Sequence, residues 1–144
     1  MTVALRILKS GDEAVFDRVA EGVFDDAIEP ALVREFLADP HHHIAVAIDE
    51  GLLVGFASGV DYIHPDKPRE LFVNEVGVAP THLRKGIGKR VLGILIGHAQ
   101  GLGCINAWVL TDKSNQAARA LYTSLGGEVI SDDITLQFEF MRQP

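Results

Sequence analysis

The chain has 144 residues, 47% of them hydrophobic, and its 13 Lys and Arg against 20 Asp and Glu give a formal net charge of −7 at pH 7. This composition predicts one compact domain over residues 1–144 and excludes a largely disordered chain. The acidity excludes a nucleic-acid-binding body, because phosphate neutralisation needs concentrated Lys and Arg. The single cysteine, Cys104, excludes an internal disulfide, and no apolar run reaches the ~18 residues of a membrane span. We expect a cytoplasmic protein that does not enter a membrane.

The first third of the chain predicts one strand and two helices. Residues 3–8 are typical of a short strand that ends at a Ser-Gly-Asp turn. Apolar residues recur at three-to-four spacing over 12–24 and predict a helix. Pro30 predicts the start of a second helix, which ends near Pro40. The link between the two helices, residues 25–29, is acidic.

The middle of the chain predicts an antiparallel meander followed by a helix. Residues 44–48 and 52–60 are β-rich and flank an Asp-Glu-Gly turn, which indicates a hairpin. Residues 71–78 predict a third strand. The apolar spacing then changes to a helical period over 86–100.

The last third predicts a strand at 105–111, a helix at 114–125, and final strands at 129–130 and 136–140. The order strand, helix, strand predicts a right-handed parallel crossover within an otherwise antiparallel sheet. The expected fold class is therefore α/β (α+β), with about six to seven strands in a mixed, mostly antiparallel sheet and about four helices.

Residues 76–90 carry the clearest chemical signal, because they lead from a strand through a basic, glycine-containing loop into a helix. The first turn of a helix has free N–H groups and a positive dipole end, which together bind anions. Gly86 and Gly88 allow a phosphate to approach the backbone, and the neighbouring Lys and Arg residues add positive charge. The alternative is a solvated helix start with ordinary turn glycines.

Two known phosphate loops do not fit this segment. A Walker loop needs Ser or Thr after Gly-Lys, and Arg90 stands there, with Leu83 in the place of its first glycine. A dinucleotide-binding fingerprint needs a third glycine at position 91 and an acidic residue near position 106. This chain has Val91 and Asn106 at those positions. The segment therefore predicts an anion site of a different kind.

A second feature lies one strand further along the chain. The segment at 115–126 coincides with the helix predicted at 114–125, which places Asn115 and Tyr122 on one face by the 3.6-residue period. A tyrosine at such a position is usually a half-buried packing residue, and that alternative stays open from the spacing alone.

Taken together, the Lys-Gly-Ile-Gly loop and the 115–126 segment resemble the GCN5-related N-acetyltransferase superfamily, in an element order that covers nearly the whole chain. The resemblance implies acetyl-CoA as co-substrate. Its pantetheine arm would pair with the backbone at Val76 and Val78, Asn115 would contact that arm, and Tyr122 would face the CoA sulfur. Its diphosphate would lie on the loop formed by Leu83, Arg84, Lys85, Gly86, Ile87, Gly88 and Lys89.

One residue departs from the family pattern. The loop usually begins with Arg or Gln three residues before the first glycine, and Leu83 stands there in this chain. Because the phosphate contacts are mainly from main-chain amides, we expect binding to survive without a side-chain contact from this position.

Acetyl transfer to an amine needs a neutral amine, stabilisation of the oxyanion, and a proton for the departing thiolate. Glu75 precedes the expected acetyl position and is the candidate general base, directly or through water; alternatively, it is an ordinary exposed carboxylate. The Val78 N–H could donate to the thioester oxygen. The phenol of Tyr122, with an ordinary pKa of ~10, could protonate the sulfur. This chemistry needs no covalent enzyme intermediate.

Residues 70–78, 121–126 and 138–140 are similar to the aminoglycoside 3-N-acetyltransferases, which implies a role in antibiotic resistance. An acidic surface would attract such a polycation. Asp61, Asp132 and Asp133 are further acidic candidates. The predicted substrate-binding residues are Asp25, Asp26, Glu29, Glu75 and Glu139.

Other functions remain open at this point. The acceptor could be a polyamine, a small metabolite or a protein amino group, or the chain could be a non-catalytic module that binds CoA or an acyl-CoA. The family resemblance suggests a homodimer, with the late strands as its interface. The three consecutive histidines at 41–43 do not predict a metal site, because neighbouring residues diverge on an extended backbone and no second ligand cluster is evident.

Overall fold

The computed structural model describes residues 2–141, which fold around one five-stranded sheet in the order β1-β2-β3-β4-β5. The first four strands are antiparallel, and β5 runs parallel to β4. The sequence predicts a parallel crossover, and the parallel pairing of β4 with β5 confirms it. The strands are β1 (Ala4–Ile7), β2 (His42–Asp49), β3 (Leu52–His64), β4 (Lys67–Val78) and β5 (Ala107–Val109).

Three α-helices and two short 3₁₀ turns complete the described fold. The helices are α1 (Pro30–Ala38), α2 (Ile87–Gly101) and α3 (Gln116–Ser124), and the 3₁₀ turns are Glu13–Asp17 and Pro80–His82. The α/β class predicted from the sequence is confirmed. None of the helices in the described part of the chain is long and apolar enough to cross a membrane.

The two faces of the sheet are covered by different elements. His43 contacts His98 of α2, whereas the adjacent His42 stacks on Phe36 of α1 with ring centroids 5.1 Å apart. Successive strand residues point to opposite faces, so α1 and α2 cover opposite faces. The apolar stripe of α2 is buried, including Val91 and Leu95 at 0% exposure. Burial of each such side chain contributes about 1.5–3 kcal/mol to the stability of the fold.

The helix predicted over 12–24 is wrong beyond the 3₁₀ turn at Glu13–Asp17. The chain instead runs to the start of β3, where Leu53 donates to the Arg18 carbonyl at 2.9 Å and accepts from the Ala20 N–H at 2.9 Å. Gly22 then takes a left-handed conformation with φ at 83°. These long-range backbone bonds outweigh the local helical period.

The strands predicted at 129–130 and 136–140 are also wrong: the structure has no strand between α3 and residue 141. The predicted strand at 105–111 shortens to the three residues of β5, so the edge available for pairing is short. The apolar side chains that follow are exposed, 79% for Phe138 and 93% for Phe140. The described fold therefore has five strands and three α-helices instead of six to seven and about four.

Asp61 does not belong to an acidic substrate surface, because it is only 4% exposed and fully paired. Its carboxylate accepts from His43 Nε2 at 2.5 Å, from His41 Nδ1 at 3.0 Å and from the Arg69 guanidinium. His98 Nε2 lies 3.1 Å from the other ring nitrogen of His43. Burial alone would raise the pKa of Asp61, but the bonds from His43, His41 and Arg69 lower it to about 2. The cluster ties three strands to α2.

Candidate active site

A β-bulge in β4 decides where Glu75 points. Val73 pairs with Gly59 and Glu75 pairs with Ser58, so Asn74 is an extra residue in the ladder. Without it, Glu75 would face α2 together with Val73. The bulge reverses this alternation and turns Glu75 to the opposite face, as bulges beside functional sites commonly do.

The turned Glu75 carboxyl lies beside the acidic link that the sequence analysis singled out. Glu75 is exposed on one side, and its pKa is raised by partial burial first, then by the charge and hydrogen bond of Asp25 and the charge of Asp26. The chain just before the link lies close to β4: a Cβ on Gly77 would lie 2.5 Å from the Val23 carbonyl oxygen. A carboxyl with a raised pKa is a stronger base than an ordinary glutamate side chain.

A cavity of about 330 Å³ lies along the same segment. It combines apolar with acidic side chains, which suits an amine that carries an apolar portion. Its lining includes Phe16, Asp17, Glu21, Phe24 and Asp26.

The other two predicted acceptor residues are not part of this group. Glu29 is the residue immediately before α1, and its carbonyl accepts from the Val33 N–H at 3.0 Å. It does not contribute to the raised pKa of Glu75. Glu139 lies in the exposed segment after α3 that joins no strand. The structure therefore brings together Asp25, Asp26 and Glu75.

The strands β4 and β5 separate beyond their first contacts. They pair only from Leu71 to Val73, so the later part of β4 has no strand beside it on that edge within residues 2–141. The Ala79 N–H points across to β3, where it donates to the Val54 carbonyl at 2.8 Å. Because N–H directions alternate along a strand, those of Val78 and Val76 point away from β3, into the open edge.

The start of α2 lies next to this open edge and has no side-chain cap. Its N-cap residue, Gly86, has a φ of 76°, a left-handed conformation that glycine adopts without strain. A Cβ on Gly88 would meet Val78 Cγ2 at 3.6 Å. Ile87 is 1% exposed and packs over Gly55 of β3, which fixes the helix start against the sheet. The free N–H groups of this turn are thus held beside β4.

The loop before α2 is basic and exposed. Arg84 has a φ of 61°, which is unusual for a residue with a side chain, and Lys85 and Lys89 add positive charge on either side of Gly86. Leu83 is 55% exposed and brings no charge. Left-handed and helical residues in succession direct N–H groups to a common side, and such a concave backbone surface fits a diphosphate.

Helix α3 approaches the same region from the far side. Leu121 Cδ2 would be 3.7 Å from a Cβ on Gly88. Tyr122 is half-buried; burial raises the pKa of its phenol, so the hydroxyl stays protonated at neutral pH. Asn115 is the N-cap of α3: its Oδ1 accepts from the Ala118 N–H at 3.0 Å, which leaves its amide NH₂ to donate elsewhere.

Two features of the site were missed from the sequence. The bulge at Asn74 shifts the apolar alternation from Leu71 and Val73 to Val76 and Val78, a change of parity that could have revealed it, and Gly77 in a strand is a signal for close backbone approach. The pairing of His82 with Asp49, at 2.8 Å, joins residues 33 positions apart. By contrast, burial and the Asp61 charge raise the pKa of Cys104, as expected for a packing residue and not for a nucleophile.

Residues 13–126 match the acetyltransferase (GNAT) family. The chain belongs to this family. The GNAT match covers both the open edge of β4 and the start of α2, and it ends at the C-terminal end of α3, where regular structure in the described chain also ends.

Among curated GNAT relatives, the N-alpha-acetyltransferase RimI of Mycobacterium tuberculosis is 41% identical over 104 residues, which are 72% of this chain and 63% of that protein. The chain spans 32% and 48% of the next two relatives. A solved aminoglycoside acetyltransferase from an uncultured soil metagenomic sample, in complex with trehalose, aligns with a TM-score of 0.79 at 17% identity, covering 96% of this chain and 97% of that one. A ribosomal-protein-alanine N-acetyltransferase from Brucella melitensis biovar Abortus 2308 aligns with a TM-score of 0.72 at 21% identity, over 95% and 100% of the two chains. Both structural likenesses concern the fold.

Proposed function

We propose that this chain transfers the acetyl group of acetyl-CoA directly to a primary amine. The observation that carries the proposal is the open edge of β4 at Val76 and Val78 beside the uncapped start of α2 at Gly86. An extended amide-containing arm can pair with this edge while a diphosphate lies on the helix N-terminus. The two binding surfaces adjoin at Gly88 and Val78, as one ligand with both groups requires.

Glu75 acts as the general base in this proposal. Partial burial and the charges of Asp25 and Asp26 raise its pKa, and the two aspartates also attract the protonated amine. A base with a raised pKa takes up the amine proton more readily than an ordinary glutamate, directly or through water. Partial exposure of Glu75 leaves a route for that proton to the solvent.

Val78 and Tyr122 supply the other two chemical needs. The Val78 N–H points into the open edge, where it can donate to the thioester oxygen as negative charge develops. Tyr122 carries a hydroxyl that has no hydrogen-bond partner among residues 2–141, and its raised pKa keeps it protonated until the thiolate leaves. The new amide bond forms as the thioester bond breaks, and CoA leaves as the thiol.

Two acceptors are supported by different observations. The likeness to RimI favours the α-amino group of a peptide. The grouping of Asp25 and Asp26 with Glu75 favours a polycation and keeps an aminoglycoside as the second candidate. A polyamine or a small-metabolite amine would use the same chemistry.

The test is a panel of amines scored for acetyl-CoA-dependent thiol release, with product masses as confirmation. Matched pairs separate the acceptors: one peptide with a free and with a blocked N-terminus, and one aminoglycoside with and without its 3-amino group. Release with the free peptide alone supports the α-amine; release only when the 3-amino group is present supports the aminoglycoside. CoA binding without thiol release from any amine supports a non-catalytic binding module instead.

We also propose that the chain forms a homodimer through the exposed segment after α3. Leu136, Phe138 and Phe140 alternate with polar residues and are 71%, 79% and 93% exposed, and a second copy would cover them. Sedimentation of the wild-type chain should give a dimer, and replacing both phenylalanines by Ser should give a monomer. A cytoplasmic location stays a prediction.

A further inference from the structure

We propose that His82, held by Asp49, is a positioning residue that fixes the start of the loop at 83–89 in the shape that binds the diphosphate. The inference rests on the function proposed above and names the side chain on which the loop geometry depends. His82 belongs to neither the glycine motif nor the catalytic group.

Both ring nitrogens of His82 are engaged. Nε2 lies 2.8 Å from Asp49 Oδ2, and Nδ1 lies 2.8 Å from Thr81 Oγ1. Because a carboxylate only accepts, Nε2 carries the proton and donates to Asp49, while Nδ1 accepts from the Thr81 hydroxyl. With both nitrogens bound, the imidazole has one orientation. Its side chain is only 13% exposed.

The partner of His82 lies on a fixed part of the fold. Asp49 is the last residue of β2, and its side chain is 25% exposed. The turn that follows is held by Arg18, which donates to the Glu50 carbonyl at 3.1 Å. Asp49 is therefore a rigid reference point, separate in sequence from the loop.

His82 stands immediately before the part of the loop that contains Arg84. Residues 83–86 are exposed, whereas His82 before them and Ile87 after them are withdrawn from solvent. Arg84 holds a left-handed φ of 61° within this exposed stretch. Such a conformation costs about 1–3 kcal/mol for a residue with a side chain and persists only when its surroundings hold it in place. The anchor at the end of the 3₁₀ turn and the anchor at Ile87 provide that restraint.

Loss of the His82 anchor would let Arg84 relax toward ordinary φ values. The N–H groups of residues 83–86 would then no longer point to one side. The consequence is weaker binding of the diphosphate with little change in the chemical step, because Glu75 and Tyr122 lie on β4 and α3 and do not depend on the loop start.

The experiment measures CoA affinity by calorimetry, and kcat and KM for acetyl-CoA by thiol release. His82→Ala and Asp49→Ala should each weaken CoA binding about tenfold, the lower end expected for losing a hydrogen bond to a charged group. KM should rise in parallel while kcat stays within about twofold. The double variant should be no weaker than either single variant. His82→Gln, whose amide can donate to Asp49, should recover most of the affinity.

The chain offers a matched control in His64, which bonds Asp66 on the exposed β3–β4 turn. His64→Ala should leave CoA affinity unchanged. Equal CoA affinity in the wild type and His82→Ala, or additive losses in the double variant, would overturn the inference while leaving the proposed function intact. Absence of CoA binding to the wild type would instead refute the proposed function. If His82→Ala does not fold, His82→Gln against Asp49→Ala decides the same question.

Discussion

Glu75 shows how the neighbours of a residue change its orientation and its acidity. The bulge at Asn74 turns it away from α2, and partial burial together with the charge and hydrogen bond of Asp25 raises its pKa. A solvent-facing glutamate without these contacts would be a carboxylate with ordinary acidity. The raised pKa that suits Glu75 to the proposed role of general base therefore depends on its burial and on Asp25 and Asp26, which are remote in sequence.

The first prediction concerns Asp25→Asn. The basic form of Glu75 appears as pH rises through its raised pKa, so kcat/KM should rise with pH along an acidic limb. Removing the Asp25 charge lowers that pKa and should move the limb to lower pH. The profile of kcat/KM against pH measures the shift. Glu29→Gln, a change in the same acidic link, should leave the limb in place, and an unmoved limb in Asp25→Asn would contradict the assignment of Glu75.

The second prediction concerns Tyr122→Phe. Loss of a general acid typically lowers turnover by about a hundredfold or more, whereas CoA affinity should be nearly unchanged, because the ring still packs. A steady-state thiol-release assay measures turnover, and calorimetry measures CoA affinity. Tyr62→Phe is the matched control, since the Tyr62 hydroxyl bonds Glu70 and Trp108 away from the loop. Wild-type turnover in Tyr122→Phe would remove the acid role.

At the scale of elements, helices with a long apolar stripe were predicted well, whereas segments whose structure depends on distant backbone contacts were not. Helices α1 and α2 match their predicted positions within two residues, because long apolar stripes and Pro30 specify them locally. The segment at 12–24 has the same spacing but forms backbone bonds with Leu53 instead. Such bonds depend on where β3 lies, which local periodicity does not contain.

The same limit applies to the site. The glycine-containing loop and the helix start beside Gly86 were predictable, because the pattern lies in consecutive residues. The pairing of His82 with Asp49 was not, because a contact across 33 positions decides it. The orientation of Glu75 was missed, although the bulge that decides it shifts the apolar alternation from Leu71 and Val73 to Val76 and Val78.

The third prediction concerns the start of α3. Asn115→Asp keeps an oxygen that accepts from the Ala118 N–H, so helix stability should be preserved, whereas Asn115→Ala should cost about 1 kcal/mol of unfolding free energy. Both variants lose the amide donor that the family resemblance assigns to the pantetheine arm. CoA binding should therefore weaken in both, and denaturation measures stability separately. Full CoA affinity in Asn115→Asp would show that Asn115 is a cap alone.

At the scale of the whole molecule, the Asp61 cluster links β2, β3 and β4 to α2. The groups that face Asp61 are His43 from β2, His41 just before that strand and Arg69 from β4, with His98 of α2 behind His43. Since the folded pKa of Asp61 is about 2 against 3.8 in the unfolded chain, its contribution to stability is present above pH 3.8 and is lost as pH falls toward 2. The shift corresponds to about 2 kcal/mol.

The fourth prediction follows for Asp61→Asn. Removing the carboxylate leaves the Arg69 guanidinium without its counter-charge and the buried His43 without its hydrogen-bond acceptor, and should cost about 2 kcal/mol at pH 7. The difference from the wild type should shrink below pH 3. Burial and the His43 charge lower the pKa of His98, so both proteins should also lose stability as pH falls below 6.5.

Urea denaturation across pH gives the comparison. Asp66→Asn, an exposed carboxylate, should have little effect; an equal cost at pH 2 and pH 7 for Asp61→Asn would contradict the account.

Binding of the CoA diphosphate beside the open edge of β4 is the claim on which the enzymatic account depends. Calorimetric titration of the wild-type chain with CoA and with pantetheine, which has the arm but no diphosphate, tests it most directly. The account predicts saturable binding of CoA that weakens with added salt, and much weaker binding of pantetheine. No detectable binding of CoA, or equal affinity for the two ligands, would contradict it.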